Sequence, residues 1–300
     1  MKKNLLFLIF FIIVSQAAAQ EINNVSELQN SLLWEISRND LTAKSYLFGT
    51  NHIIGGSYVD TSQVIMEYFM NSNVIITEAV KDDIDTAMLL QAIEMKDDEY
   101  YSFADSEDEE YLKEFFRKNS ILKPYAEFYF ILKPIFYWIL FYYTEYFRNE
   151  PSVKSDFISL DFYFMEQAAE LNKKLLGLET VNEQMSYFTD SISVKTQLKI
   201  LLETIRTSDE RLKLGTTYLN SCYLNQDLNC MSSFMIFGSN FPKENELFIV
   251  SRNKRWMQKL PSIINYNASF IAVGAGHLPG SNGLISLLRM QGYEVKPIKF

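Results

Sequence analysis

The sequence predicts an α/β protein whose central sheet is built from two similar strand-loop-helix-strand units at the chain ends, with a large, mostly helical middle segment. Three observations carry that prediction. Two short β-like runs, one near each end, stop at the same Gly-x-x-His pattern. Each is followed by a helix-length segment and a second apolar run. Between them, roughly residues 80–265 carry helical rather than alternating periodicity.

The chain opens Met1-Lys2-Lys3, runs through apolar residues from Leu5 to Val14 and reaches Ala17-Ala18-Ala19-Gln20. A basic start, a short apolar stretch and small residues at its end are the anatomy of a secretory signal peptide. The apolar stretch is about half of the ~20 residues that span a bilayer. Residues 1–19 are therefore set apart as a signal peptide cleaved after Ala19. Residues 20–300 are read as one domain, exported to the periplasm or secreted, with no membrane span after signal removal. Acidic residues number 37 against 28 basic, a formal net charge of −9 that becomes more negative once Lys2 and Lys3 leave. Such a surface repels phosphate backbones and excludes nucleic acid as a partner. A hydrophobic fraction of 48% supplies a sizeable core and argues against disorder.

In chain order, Ser45-Tyr46-Leu47-Phe48 is a strand that stops at Gly49-Thr50-Asn51-His52, followed by Ile53-Ile54-Gly55. Asp60 or Thr61 can cap the next helix, which carries Val64, Ile65 and Phe69, and Asn73 to Glu78 is the following strand. In the middle segment, Asp105 to Glu110 reads as a solvated helix face. Pro134 to Tyr143 is strongly apolar, too short to span a membrane and bracketed by Lys133 and Glu145, so it reads as a buried helix. Lys174 to Leu178 is a short strand ending at Glu179, and Thr180-Val181-Asn182-Glu183 is a capping box. Cys222 and Cys230 read as a local disulfide, because the export context is oxidising and no histidine or further cysteine lies nearby to complete a zinc site. Ser251 to Met257 is a helix leading into the second unit. There Ser269 to Val273 runs into Gly274-Ala275-Gly276-His277 and Leu278-Pro279-Gly280. Leu284 to Met290 is helical, ending at Gly292, and Tyr293 to Ile298 is the last strand.

The chain has two histidines, and both fall in these equivalent loops. Ligands in open α/β sheets sit beyond the carboxyl ends of strands, where both imidazoles lie. Gly49 and Gly274 are expected to let the chain turn off each strand, and Gly55 and Gly280 to allow close approach behind each ring. Two neutral imidazoles and one carboxylate would leave positions open on a metal for water. Glu78 is the first choice for the carboxylate, at the end of the strand expected to pair with that of His52. Glu179 is a rival by the same logic, although the Thr180 cap beside it offers a plain structural role. Arg252 is the cation available for a developing oxyanion. No His-Glu-x-x-His, Gly-x-Ser-x-Gly or Gly-x-x-x-x-Gly-Lys motif is present.

Together, Leu33-Trp34-Glu35-Ile36, Tyr46 to His52, Ile75 to Glu78, Gly177 to Thr180 with Glu183-Gln184, Arg252-Asn253 and Val273 to Gly280 resemble the TraB/GumN family over essentially the whole chain after the signal peptide. The resemblance implies an α/β core similar to that of erythromycin-esterase-like and Tiki-type proteins. It also implies one pocket built from His52, His277, Glu78 and Arg252. Tiki-type members are metal-dependent proteases, which implies His52, His277 and Glu78 as ligands of a divalent Mn, Co or Zn ion. Asn51 stands where an aliphatic residue is commoner.

The leading expectation is thus an exported metal-dependent hydrolase acting on a peptide or other small extracytoplasmic substrate. The alternatives are a metal-free, esterase-like hydrolase in which a histidine is general base and Glu78 orients it, and a non-catalytic binder of a peptide or glycan.

Overall fold

The computed structural model describes residues 30–60, 62–80, 86–96, 106–119, 122–126, 131–149, 158–206, 213–232 and 246–300. The expected signal peptide and the Thr61 cap lie outside them. Strands β1 (Leu33–Ser37), β2 (Ser45–Thr50), β3 (Val74–Thr77), β4 (Lys174–Gly177), β5 (Ser269–Gly274) and β6 (Glu294–Ile298) form one mixed sheet in the order β4-β3-β5-β2-β1-β6. The first four in that order are mutually parallel; β1 runs antiparallel to both neighbours. Strand β1, which carries the fully buried Trp34, is not among the strands expected from the sequence. The edge strand β6 carries Pro297, tolerated because an edge strand leaves one row of N–H groups unpaired.

The helices are α1 (Gln63–Met70), α2 (Thr86–Ile93), α3 (Ser106–Lys118), α4 (Pro134–Asn149), α5 (Leu160–Glu170), α6 (Val181–Thr189), α7 (Val194–Arg206), α8 (Lys213–Leu224), α9 (Arg252–Ile264) and α10 (Leu284–Met290). All but the first and last lie in the expected helical middle. No described helix is long and apolar enough to cross a membrane. The N-cap of α1 is Ser62, which makes no side-chain cap hydrogen bond. Asp60 instead ends a preceding helical turn and accepts a hydrogen bond from Tyr163.

The expected units do not form neighbouring strand pairs. Strand β5 lies between β2 and β3, while β2 and β1 lie between β5 and β6. The two chain ends therefore interleave. Strands β2, β3 and β5 are almost continuously buried, as parallel strands covered on both faces must be. Phe48, Phe69, Phe164 and Phe270 pack together beneath β2 and β5, with ring centroids 5.1–6.1 Å apart. A second apolar cluster, including Phe116, Tyr137, Phe141 and Leu201, joins α3, α4 and α7. The apolar stretch from Pro134 is thus a helix contributing to that core.

Cys222 and Cys230 are disulfide-bonded at the end of α8. The adjacent Tyr223 is fully buried and donates to the Gly49 carbonyl at 2.8 Å, tying the bridged segment to the end of β2.

Candidate active site at the strand ends

The register aligns Thr50 with Gly274, Thr77 with Ala272 and Thr77 with Gly177. Four parallel strands therefore finish side by side, and the residues just past them follow sheet order: Glu179 after β4, Glu78 after β3, His277 after β5 and His52 after β2. Arg252, at the start of α9, reaches this row from above. It faces inward because Arg252, Asn253, Trp256, Met257, Leu260 and Ile264 make one buried helical stripe. The turn before it is a π-helix, Glu246–Ser251, and the Phe248 carbonyl accepts from Arg252 Nη1 at 3.2 Å.

Arg252 is 5% exposed, and each of its five N–H groups has a partner. Nε donates to Glu179 Oε1 at 3.0 Å. Nη2 serves Glu78 Oε2 and Glu179 Oε1, both at 2.5 Å. Nη1 meets the Phe248 carbonyl and lies 3.2 Å from His277 Nε2. The expected oxyanion donor is thus fully engaged, and would have to release one of these bonds to reach a substrate oxygen.

Glu78 is buried. Its Oε1 accepts from the Gly274 N–H at 2.8 Å, and its Oε2 accepts from Arg252 and, at 2.9 Å, from Gln184 Nε2. Burial alone would raise its pKa, but Arg252, then His277 and His52, and the Gly274 N–H bring it down to about 2. Strand β3 pairs with β5 and β4 rather than β2, so Glu78 is attached to the loop of His277 and does not orient His52.

His277 is 3% exposed and packs on Trp256, ring centroids 4.4 Å apart. Its Nδ1 lies 2.7 Å from Asn253 Oδ1, and Asn253 Nδ2 donates to the His277 and Asn282 carbonyls. Those two carbonyls fix the amide, so Oδ1 is the acceptor, Nδ1 carries the proton and Nε2 offers its lone pair to Arg252. Burial holds the pKa of the ring down to about 3, so it stays neutral.

His52 differs. Its side chain keeps 54% of its surface exposed, and its Nδ1 is 2.7 Å from Asp161 Oδ2. Asp161, near the start of α5, is buried, and its Oδ1 accepts from Thr50 Oγ1 at 2.6 Å. The Asp161 charge raises the pKa of His52 to about 9, against a smaller opposing effect of burial. The four residues expected at the site do gather at one sheet edge. Asp161, Asn253 and Gln184 join them. The Thr180–Glu183 capping box forms beside Glu179, while the Glu179 carboxylate, its pKa raised by burial, holds Arg252 and accepts from Trp256 Nε1 at 3.1 Å.

The glycines act differently from expectation. A Cβ on Gly49 would lie 3.0 Å from Ala275 Cα, so it is close approach between the two histidine loops that demands glycine there. Gly280 has open space around it and a φ of +87°, so it serves backbone conformation.

Among the described residues, no group of three or more metal-ligating side chains converges on one point. The Arg252 guanidinium contacts both Glu78 Oε2 and His277 Nε2, donor atoms that two of the expected ligands would otherwise offer a divalent ion. As arranged, the expected ligand set does not fit a divalent ion unless that guanidinium withdraws.

The fold and this strand-end row define an α/β protein with a buried carboxylate-guanidinium-imidazole cluster and one imidazole reaching water. The chain belongs to the TraB/PrgY/gumN family, whose model matches residues 32–297. It is 26% identical over 166 residues to "Metalloprotease TIKI1" of Danio rerio and 25% identical over 166 residues to "Metalloprotease TIKI2" of the same organism. These alignments cover 46% of this chain and 33% and 32% of the relatives. A match of 23% identity over 331 residues to "Metalloprotease TIKI1" of Xenopus tropicalis covers 92% of this chain and 63% of the relative. The chain thus spans about a third of the length of the first two and less than two thirds of the last. No solved structure matches.

Proposed function

We propose that this chain is an exported hydrolase acting on peptide bonds, with His52 as the group that moves protons. One observation carries the reading: of the ionisable residues meeting at the four strand ends, His52 alone is half-exposed, with a buried carboxylate on its Nδ1. An imidazole so placed can take a proton from water as it attacks a carbonyl and return it to the leaving amine. Arg252 and Glu78 act differently. They hold each other and the Gly274 N–H in place, forming the rigid floor of the site, and a group of buried charges is costly enough that its retention favours a functional role. The peptide as substrate is supported by family membership and by relatives named metalloproteases.

A second reading, metal dependence through His52, His277 and Glu78, is favoured by a specific observation. Both rings have Nδ1 on a side-chain oxygen, the tautomer that leaves Nε2 for a metal, but the His277 Nε2 lone pair is taken by Arg252, so this reading requires the guanidinium to withdraw. The metal would supply an activated water and polarise the carbonyl.

Both readings are tested by turnover of a quenched fluorescent peptide library by the purified protein and its His52→Ala variant, with chelator and with Mn²⁺, Co²⁺ or Zn²⁺ added back. Turnover that survives chelation and falls on the order of 10²–10⁴-fold in the variant supports the first reading. Turnover abolished by chelation and restored by metal supports the second. Absence of turnover under every condition overturns both.

A further inference from the structure

We infer that Asp161 is the positioning residue of His52, fixing which ring nitrogen is presented to substrate. The inference rests on the reading of His52 as the working imidazole and adds a residue from the start of α5, far away in the sequence.

The contact is built from both sides. The loop after His52 is stapled to the segment before Asp161 by two backbone hydrogen bonds, Gly56 N–H to the Ile158 carbonyl at 3.1 Å and Leu160 N–H to the Ile54 carbonyl at 3.1 Å, which together make the antiparallel bridge of Gly55 with Ser159. Gly56 is needed for this approach, since a Cβ there would overlap the Tyr163 ring of α5. The imidazole and the carboxylate are therefore carried by one clamped pair of segments.

The carboxylate is then fixed by Thr50, the last residue of β2. Its Oγ1 donates to Asp161 Oδ1 at 2.6 Å, which leaves Oδ2 for the ring. That oxygen is buried, accepts no other hydrogen bond among the described residues and has His52 Nδ1 beside it at 2.7 Å. A buried carboxylate oxygen without a donor is costly, and the arrangement is stable only with a proton on Nδ1. Asp161 thus favours the Nδ1–H form over the Nε2–H form that a free neutral imidazole prefers, and turns the Nε2 lone pair away from the protein toward the exposed side.

The test uses the full chain labelled with ¹⁵N. With only two histidines present, ring signals are assigned by their loss in His52→Ala. The inference predicts that neutral His52 is Nδ1-protonated in the unaltered protein and reverts mainly to Nε2–H in Asp161→Asn. Thr50→Val, which frees Oδ1 but keeps the carboxylate, shifts the ratio the same way by less, and keeps the test decisive should Asp161→Asn fail to fold. In turnover, Asp161→Asn lowers kcat more than it alters KM in the unaltered background and costs nothing further in His52→Ala. Unchanged His52 ring signals in both variants, or kinetic losses that add independently, would overturn it. The ring signals report whether or not the protein turns over peptide, so failure of the hydrolase reading is seen separately.

Discussion

Glu78 Oε2 and Arg252 Nη2 lie 2.5 Å apart at the closed end of the strand-end row, each 6% exposed or less. Arg252 spans two carboxylates from neighbouring strands, so removing it strands both in a buried setting. Arg252→Ala is expected to lower unfolding free energy by about 3–5 kcal/mol, measured by urea denaturation. Arg252→Lys recovers little, because an ammonium cannot reproduce the five-donor fork.

Acid should destabilise the protein through two groups of this row. The pKa of His277 is depressed in the fold to about 3, from an ordinary 6.5, and that of Glu78 to about 2, from 4.5. In both cases the unfolded chain binds more protons. The stability contributed by His277 is therefore lost as pH falls from about 6.5 toward 3, and that of Glu78 from about 4.5 toward 2. Thermal midpoints recorded across this range should drop toward acid, and His277→Asn, which does not titrate, should flatten the upper part of the curve.

The opposite sign applies to His52. Its pKa, raised to about 9 by Asp161, means that the stability from this pair is fully present below about 6.5 and lost as pH rises through 9. As a general base His52 works in its neutral form, so kcat/KM should climb with pH up to about 9, and Asp161→Asn should move that rise to lower pH.

Much of this site was legible in the sequence because its parts lie next to strand ends. Strands β2, β3 and β5 are short apolar runs that stop at glycine, threonine or glutamate, so His52, Glu78 and His277 could be assigned to one sheet edge. Sheet order was not legible. That β5 inserts between β2 and β3, giving Glu78 to the His277 loop, depends on crossovers packed by helices whose contacts no local pattern encodes. Asp161 was hidden for the same reason, since the Gly55–Ser159 bridge joins segments far apart in sequence. Glu179 was half-legible: the capping box beside it was visible, but its pairing with Arg252 was not.

Gly49→Ala should be more disruptive than its size suggests. The added methyl meets Ala275 Cα and Cβ at 3.0 Å, both on the facing histidine loop. A loss of about 1–3 kcal/mol is expected in denaturant titrations, with turnover falling because the two loops are pushed apart.

Breaking the Cys222–Cys230 bridge by Cys222→Ser should cost about 2–4 kcal/mol. Tyr223→Phe, which leaves the Gly49 carbonyl without its 2.8 Å partner, should cost about 1–3 kcal/mol. Both are read from thermal or urea unfolding.

The central claim, that these strand ends form one hydrolytic site with His52 as its working imidazole, is tested most directly by peptide turnover in the His52→Ala variant beside the unaltered protein, both shown by circular dichroism to be folded. The account predicts turnover by the unaltered protein and its near-complete loss in the variant. Equal turnover by the two would contradict it.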